Sequence, residues 1–175
     1  MQTEPAVIAT APQPGHYDID PDRSRVTFAT RHLFGLGRVR GSFAIRGGTA
    51  DVADPVAAST VYVEIETASF RTKNRQRDAS VLSPRFLDPA GHPVMTFRSD
   101  RIEAGQHGRV LTGTLTVRGT SRPVTLTISH CEASRGSFTA RATARIDRTE
   151  FGITAARGLA ARHLDLTLEI QCTRN

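Results

Sequence analysis

The strongest constraint on the fold is a period-two alternation of apolar and polar residues, which returns in one stretch after another. In one such stretch Leu111, Leu115 and Val117 alternate with threonines. Successive side chains of a β-strand point to opposite faces, so the pattern gives each strand one dry face and one solvated face. The stretches are 17–20, 24–31, 38–45, 60–67, 95–102, 110–118, 124–129, 138–147 and 164–171. They predict an all-β protein, and β-branched Val and Thr dominate them, as strands prefer.

The connections between these stretches indicate how the strands pair. Most are short, which favours antiparallel pairing of sequence neighbours. Asp20-Pro21-Asp22 and Gly119-Thr120-Ser121 are typical of turns, and we expect Gly47-Gly48 to end the strand that precedes it. Sequential strands without intervening helices form a barrel or a sandwich.

A single helix is predicted, at about residues 72–83. Residues 73–82 contain no Gly or Pro, Thr72 is a candidate N-cap, and Pro84 ends the segment because its ring clashes with the preceding turn. Since the chain on both sides alternates with period two, we expect this helix to cover one end of the β structure.

The net charge of +6 comes almost entirely from arginine, since Lys73 is the only lysine. Such a balance is compatible with an anionic partner. The arginines stand mostly alone at strand positions opposite apolar residues, as Arg118, Arg141 and Arg145 do. A solvated outer face explains them, and without an aromatic and basic stripe we predict no nucleic-acid partner.

The 175 residues suffice for one domain, and we place it at residues 16–172 behind a flexible N-terminal arm of residues 1–15. No apolar run approaches the roughly 18 residues of a transmembrane segment, and residues 1–16 lack the basic start of a signal peptide. We therefore expect a cytoplasmic protein, with a periplasmic or secreted one as the alternative if a leader has been removed. Cys131 and Cys172 form no C-x-x-C motif, and two free thiols are favoured over a disulfide.

The sizes of the inward-facing residues allow two interiors. Several inward positions carry Gly or Ala where a filled core would carry Leu or Ile: Gly41, Gly113, Ala140, Ala142 and Ala144. Burying a Leu or Ile instead of an Ala would stabilise the fold by about 2 kcal/mol or more. A chain without that stabilisation at several inward positions could enclose a lumen for a long apolar ligand. Alternatively, phenylalanines fill the space: Phe28, Phe43, Phe97 and Phe138. The pattern does not decide between them.

Several motifs, in order, resemble those of YceI-like domains. They include Tyr17-Asp18-Ile19-Asp20-Pro21 with Ser24-Arg25-Val26-Thr27-Phe28, His32, Val39-Arg40-Gly41-Ser42-Phe43, Arg77-Asp78, Phe86-Leu87-Asp88 with His92-Pro93, the 115–124 hairpin and Arg148-Thr149-Glu150-Phe151-Gly152-Ile153. The resemblance runs from about Tyr17 to Ile170 and departs from the family at residues 155–161. It implies an antiparallel, lipocalin-like β-barrel of about eight strands with a helix beside it, which holds a polyisoprenoid or a similar long-chain lipid without a cofactor.

On this basis we predict that the inner faces of the strands enclose an isoprenoid tail, while polar groups near the helix and His32 face its head group. The predicted ligand-binding residues are Phe28, His32, Phe43, Val63, Arg77, Val81, Leu82, Phe86, Phe97, Leu115, Leu126, Ala142 and Leu166. A local hydrogen bond is an alternative role for His32, and a salt bridge or helix cap is one for Arg77 and Asp78. A homodimer that buries edge strands is possible.

No catalytic residue is predicted. The sequence has no Gly-x-Ser-x-Gly elbow, no His-Glu-x-x-His and no phosphate loop. Glu64 and Glu66 share the outward face of their strand, and the six histidines lack metal-site spacing, so we predict no metal. The alternative hypothesis is an enzyme of the cyclase or isomerase type in the same cavity, which would need a buried titratable group in the lumen.

Overall fold

The computed structural model describes residues 11–30, 37–155 and 161–175, and its core is a closed antiparallel barrel. The strands are β1 (Gly15–Ile19), β2 (Arg25–Thr30), β3 (Arg40–Val52), β4 (Thr60–Glu66), β5 (Arg71–Thr72), β6 (Val94–Gly105), β7 (Gly108–Val117), β8 (Thr120–Ser134), β9 (Ser137–Asp147) and β10 (His163–Arg174). The predicted all-β, lipocalin-like barrel is confirmed.

The ring closes because β1 and β2 share one position in it. Tyr17 pairs with Arg174 of β10 and with Ala50 of β3, and Phe28 farther along pairs with the same two strands. The two strands therefore lie end to end between β3 and β10, while β5 pairs only with β3, so the ring has eight members. A closed ring has no open edge strands. The edge argument for a homodimer thus does not apply to the barrel, and the oligomeric state stays a prediction.

The helix α1 is shorter than the predicted 72–83, because it spans Arg75–Val81. Its N-cap is Asn74, whose side chain accepts from the backbone N–H of Arg77, so the expected cap at Thr72 is wrong. Thr72 belongs to β5 and donates its hydroxyl to Asp78 Oδ1 at 2.6 Å. Asp78 thus holds the start of the helix against the strand before it. No helix in the described ranges is long and apolar enough to cross a bilayer.

Strand β3 continues past Gly47-Gly48, where the sequence predicted its end. The register with β4 shifts between Ile45 and Gly47, and pairing then resumes as far as Asp51. A β-bulge lets a strand bend and continue, and glycine at such a position is compatible with a strand rather than a stop. The extension carries Ala50 to Val52 to the end of the barrel opposite α1.

The half of the barrel nearest α1 is filled by aromatic rings. Phe28 stacks on Phe70 with ring centroids 5.3 Å apart, and Phe43 contacts both rings. Gly41 is small because a Cβ there would overlap the Phe28 ring and would lie 2.5 Å from a backbone oxygen. At Gly113, a Cβ would lie 2.6 Å from the Phe97 ring. For these two glycines the filled interior is the right interpretation.

Beside this half, a buried arginine fixes the segment that leads into β10. Arg148 is 8% exposed and donates to the carbonyl oxygens of Ile153, Ala155 and Ala161 at 2.8–2.9 Å. Ile153 and Phe151 are themselves buried. Charge-assisted hydrogen bonds to backbone oxygens satisfy the guanidinium inside the protein, so this end of the barrel is tied down by polar contacts as well as by packing.

The close approach at Gly113 predicts a stability difference between two glycine substitutions. Gly113→Ala should lower the free energy of unfolding by about 1–3 kcal/mol, because the added methyl overlaps both the backbone oxygen of Arg98 and the Phe97 ring. Gly47→Ala is the matched control, since no atom lies within 4 Å of a Cβ there, and it should stay within about 0.5 kcal/mol of wild type. Urea unfolding measures both, and equal losses would contradict the filled half.

Candidate functional site

The end of the barrel opposite α1 contains a cavity of about 390 Å³. It extends from the middle of the barrel to the hairpin between β6 and β7, and lies in the range of about 300–1,000 Å³ found for small-molecule sites. It is lined by Ala11, Pro12, Ala50, Asp51, Val52, Val56, Ser59, Thr60, Val61, Val63, Phe97, Ile102, Ala104, Gly105, Gly108, Arg109, Leu111, Leu126, Ile128, His130, Cys131, Phe138, Ala140, Ala142, Leu168 and Ile170.

The inner end of the cavity is apolar. Val63, Phe97 and Leu126 are each 5% exposed or less, and Ala142 and Leu168 from adjoining strands complete the wall. These residues are the inward members of their strands, whose outward neighbours are polar, such as Glu64. Such a wall offers a ligand no hydrogen bond from a side chain, so it suits hydrocarbon.

The polar lining residues lie at the outer end, which we call the mouth. Asp51 accepts a hydrogen bond from His16 Nδ1 at 2.6 Å, and this contact raises the pKa of His16. His130 lies 3.7 Å from the carboxylate of Glu132. Arg109 is exposed. The cavity therefore changes from apolar to charged along its length.

Residues 11–14 pass over the mouth. Ala11 and Pro12 line the cavity, and the next two residues are held by hydrogen bonds to their carbonyl oxygens. Tyr17 Oη donates to Gln13 at 2.8 Å, and Arg174 Nη2 donates to Pro14 at 2.6 Å. Part of the predicted arm at residues 1–15 is thus attached to the barrel, while residues 1–10 lie outside the described ranges.

Four of the predicted ligand-binding residues line the cavity: Val63, Phe97, Leu126 and Ala142. Four others pack elsewhere in the barrel interior: Phe28, Phe43, Leu115 and Leu166. Arg77, Val81, Leu82 and Phe86 lie on or just after α1 at the opposite end, and none of them lines this cavity. His32 lies outside the described residues. The structure therefore does not bring the helix-side residues together with the cavity.

Sequence reasoning missed the residues of the mouth. It started β7 at Val110, whereas the strand starts at Gly108, and carrying the alternation back from Leu111 by two residues gives Arg109 the inward phase. It ended β3 before Ala50 and Val52, because two glycines were taken as a stop. Carrying the period back from Leu111 finds Arg109. Alternation continued from Ile45 would not have found Ala50 and Val52, because the bulge between Ile45 and Gly47 shifts the inward phase of β3 by one residue.

The two cysteines are free thiols, and neither has the properties of a nucleophile. Burial raises the pKa of Cys172 to about 12. Burial also raises the pKa of Cys131, which faces inward beside Ala140 and lines the cavity. The thiolate is the reactive form of cysteine, so at neutral pH both side chains are protonated. Among the described residues no three His, Cys, Asp or Glu side chains gather as metal ligands.

Comparison with known sequences shows one family over almost the whole chain. The sequence matches the YceI-like domain over residues 17–172. A UPF0312 protein of Enterobacter sp. is 32% identical over 164 residues, which cover 89% of this chain and 84% of the relative. A UPF0312 protein of Yersinia enterocolitica is 31% identical over 167 residues, with 90% and 86% covered.

Solved structures of the same shape are more distant in sequence. Burkholderia cenocepacia BcnA superposes with a TM-score of 0.73 at 19% identity and covers 89% of this chain and 99% of its own. A polyisoprenoid binding domain from Saccharophagus degradans, implicated in plant cell wall breakdown, gives a TM-score of 0.65 at 13% identity, with 93% and 100% covered. At these identities the likeness shows the fold.

The empty space beside Ala142 predicts that a larger side chain fits there. Ala142→Leu should keep or raise the free energy of unfolding, by up to about 2 kcal/mol, because the added methyl groups enter the cavity and are removed from water. Ala144→Leu is the control on the same strand, since Ala144 faces inward but does not line the cavity, and it should destabilise by overpacking. Urea unfolding of both variants checks this, and a loss of more than about 1 kcal/mol at Ala142 would contradict an open cavity.

Proposed function

Because the chain belongs to the YceI-like family, we propose that its barrel binds a polyisoprenoid or a similar long-chain lipid in the apolar cavity, as a carrier, a store or a sensor. The observation that carries this proposal is the wall at the inner end of the cavity, where Val63, Phe97 and Leu126 present only hydrocarbon. The polyisoprenoid binding domain of the same fold supports the choice of ligand.

The driving force would be removal of apolar surface from water. Each square ångström of apolar area buried stabilises a complex by about 25 cal/mol before the cost of immobilising the ligand. An unbranched or prenyl chain is slender, and its methylene and methyl groups would contact Phe97, Ala142 and Leu168 on three sides. The small side chains of Ala140 and Ala142 leave room for such a chain.

The size of the cavity favours a single chain. Its 390 Å³ lies toward the small end of ligand sites, so a diacyl lipid would not fit within it. A long polyisoprenoid would place its terminal units inside and would continue out through the mouth, past Ala11 and Pro12. We therefore expect affinity to rise with chain length until the cavity is full and then to level off.

Binding, rather than catalysis, fits the groups in the lining. A cyclase or isomerase needs an acid or base placed against the reacting carbon. The charged residues Asp51 and Arg109 and the imidazole of His130 stand at the mouth, while the inner wall that would hold the chain is hydrocarbon. A titratable side chain that does face into the cavity is the Cys131 thiol, but burial raises its pKa, so at neutral pH it is neither an effective acid nor a base for such a reaction.

We also propose a reducing compartment such as the cytoplasm for this protein. Cys131 and Cys172 are both free thiols, as is usual where thiols are kept reduced. Cell fractionation with antibody detection tests the compartment, and recovery outside the cytoplasm would refute it.

Light scattering coupled to gel filtration tests the predicted homodimer, because it gives the mass in solution directly.

Native mass spectrometry of the purified protein tests the proposed ligand. We expect a one-to-one complex with added prenyl alcohols, because the cavity has room for a single chain. Ala140→Phe should abolish the complex, because the added ring fills the cavity. Ala144→Phe cannot serve as the control, because it would disturb the packed core. Arg145→Gln on the outer face of the same strand should leave binding intact. Protein that never retains or accepts a prenyl chain would refute the proposal.

The thiol of Cys131 provides a second, independent reporter. Because it lines the cavity, a bound chain should slow its alkylation by iodoacetamide several-fold, while Cys172, which is 0% exposed, should react only after unfolding. The labelling rate in the presence and absence of farnesol, followed by mass spectrometry, measures this. Cys131→Ala identifies the labelled site. An unchanged rate at a farnesol concentration that saturates binding would place the ligand elsewhere.

A further inference from the structure

Arg109 occupies an inward-facing position at the mouth of the cavity. On β7 the inward residues are Leu111, Gly113, Leu115 and Val117, and Arg109 has the same phase two residues before Leu111. Its cross-strand partners are Ala104 on β6 and Ile128 on β8, and both also line the cavity. The inward-facing residues of β7 are therefore apolar except for Arg109, which lies where the strand reaches solvent.

The charge of Arg109 is not neutralised by the acids around it. Asp51 is engaged by His16 at 2.6 Å, Glu103 by Arg101 at 3.0 Å, and no ion pair joins Arg109 to a carboxylate in residues 11–30, 37–155 and 161–175. Four arginines on the outer face of the barrel have carboxylate partners, but Arg40 and Arg98 on that face have none in the described part of the chain, so Arg109 is distinguished by its inward phase. Arg25 and Arg141 share Glu169, Arg145 faces Asp165, and Arg46 faces Glu64.

The positive charge also acts on the inner wall. Burial raises the pKa of the Cys131 thiol, and the Arg109 guanidinium partly opposes that rise by favouring the thiolate. The side chain is therefore close enough to the cavity to attract an anion placed at the mouth. A guanidinium offers several N–H donors in a plane, which match the oxygens of a phosphate or a carboxylate.

We infer that Arg109 forms a head-group subsite, and that the ligand is a single-chain amphiphile with an anionic phosphate or carboxylate head. This inference rests on the proposed function, since it requires a chain in the cavity. The tail lies against Val63, Phe97 and Leu126, because that end has no polar partner for a head group. For a chain no longer than the cavity, the head remains at the mouth, where water and Arg109 stabilise it.

The subsite is tested by measuring how three ligands that share the same prenyl chain bind to three forms of the protein. The ligands are farnesyl phosphate, farnesoic acid and farnesol, used below their micelle concentrations, and the proteins are wild type, Arg109→Gln and Arg75→Gln. Arg75 is exposed on α1 at the opposite end, so its substitution removes the same charge away from the mouth. Binding is measured by displacement of a fluorescent prenyl probe, and unfolding curves confirm that each variant is folded.

Wild type should bind the two anionic ligands about three- to tenfold more tightly than farnesol at low salt. Arg109→Gln should lose this preference while binding farnesol as wild type does, and Arg75→Gln should retain it. About 0.5 M salt should reduce the preference, because the mouth is open to screening ions.

The outcomes separate this inference from the proposed function. If no ligand binds wild type, the proposed function fails and the subsite fails with it. If all three ligands bind wild type and Arg109→Gln with equal affinity, the cavity binds chains but the subsite is refuted. Inorganic phosphate at millimolar concentration should not displace farnesyl phosphate, and displacement would show a site for the free anion instead of a lipid head group.

Discussion

The packing of Phe28 against Gly41 and of Phe97 against Gly113 determines how the interior of this barrel is divided. In both places the ring occupies the volume that a Cβ on the glycine would need. An eight-stranded barrel is only wide enough to be filled by side chains or to hold one slender ligand. Here Phe28, Phe43 and Phe70 fill the half near α1. The cavity lies beyond them, beside the small side chains of Ala140 and Ala142.

The two halves also differ in how their polar groups are used. Near α1, Asp78 bonds to Thr72, and Arg148 bonds to three backbone carbonyls, so polar side chains serve to hold segments in place. At the mouth, Asp51 is engaged by His16, whereas Arg109 faces the opening without a carboxylate partner in the described part of the chain. Polar groups therefore connect segments near α1, whereas the mouth presents the cation of Arg109 to solvent.

The fold could be predicted from the sequence because apolar and polar residues alternate in almost every strand, and this alternation is a local property of the chain. The closing of the ring by β1 and β2, in contrast, depends on pairing with β3 and β10, which lie far away in sequence. The site was predicted only in part. Val63, Phe97, Leu126 and Ala142 were found, since inward phase can be read from the pattern. Which end stays empty depends on the contacts of the rings, and these are not local, so the pattern did not show that Arg77 and Phe86 lie at the opposite end from the cavity.

The central claim is that a hydrocarbon chain lies in the cavity with its end against Phe97 and Ala142. The most direct measurement is a crystal structure with a prenyl phosphate analogue that carries bromine at the far end of its chain, located by anomalous scattering. The account predicts a bromine peak between these two residues and head-group density at the mouth beside Arg109. A bromine peak outside the barrel, or a cavity closed by rearranged side chains, would contradict it.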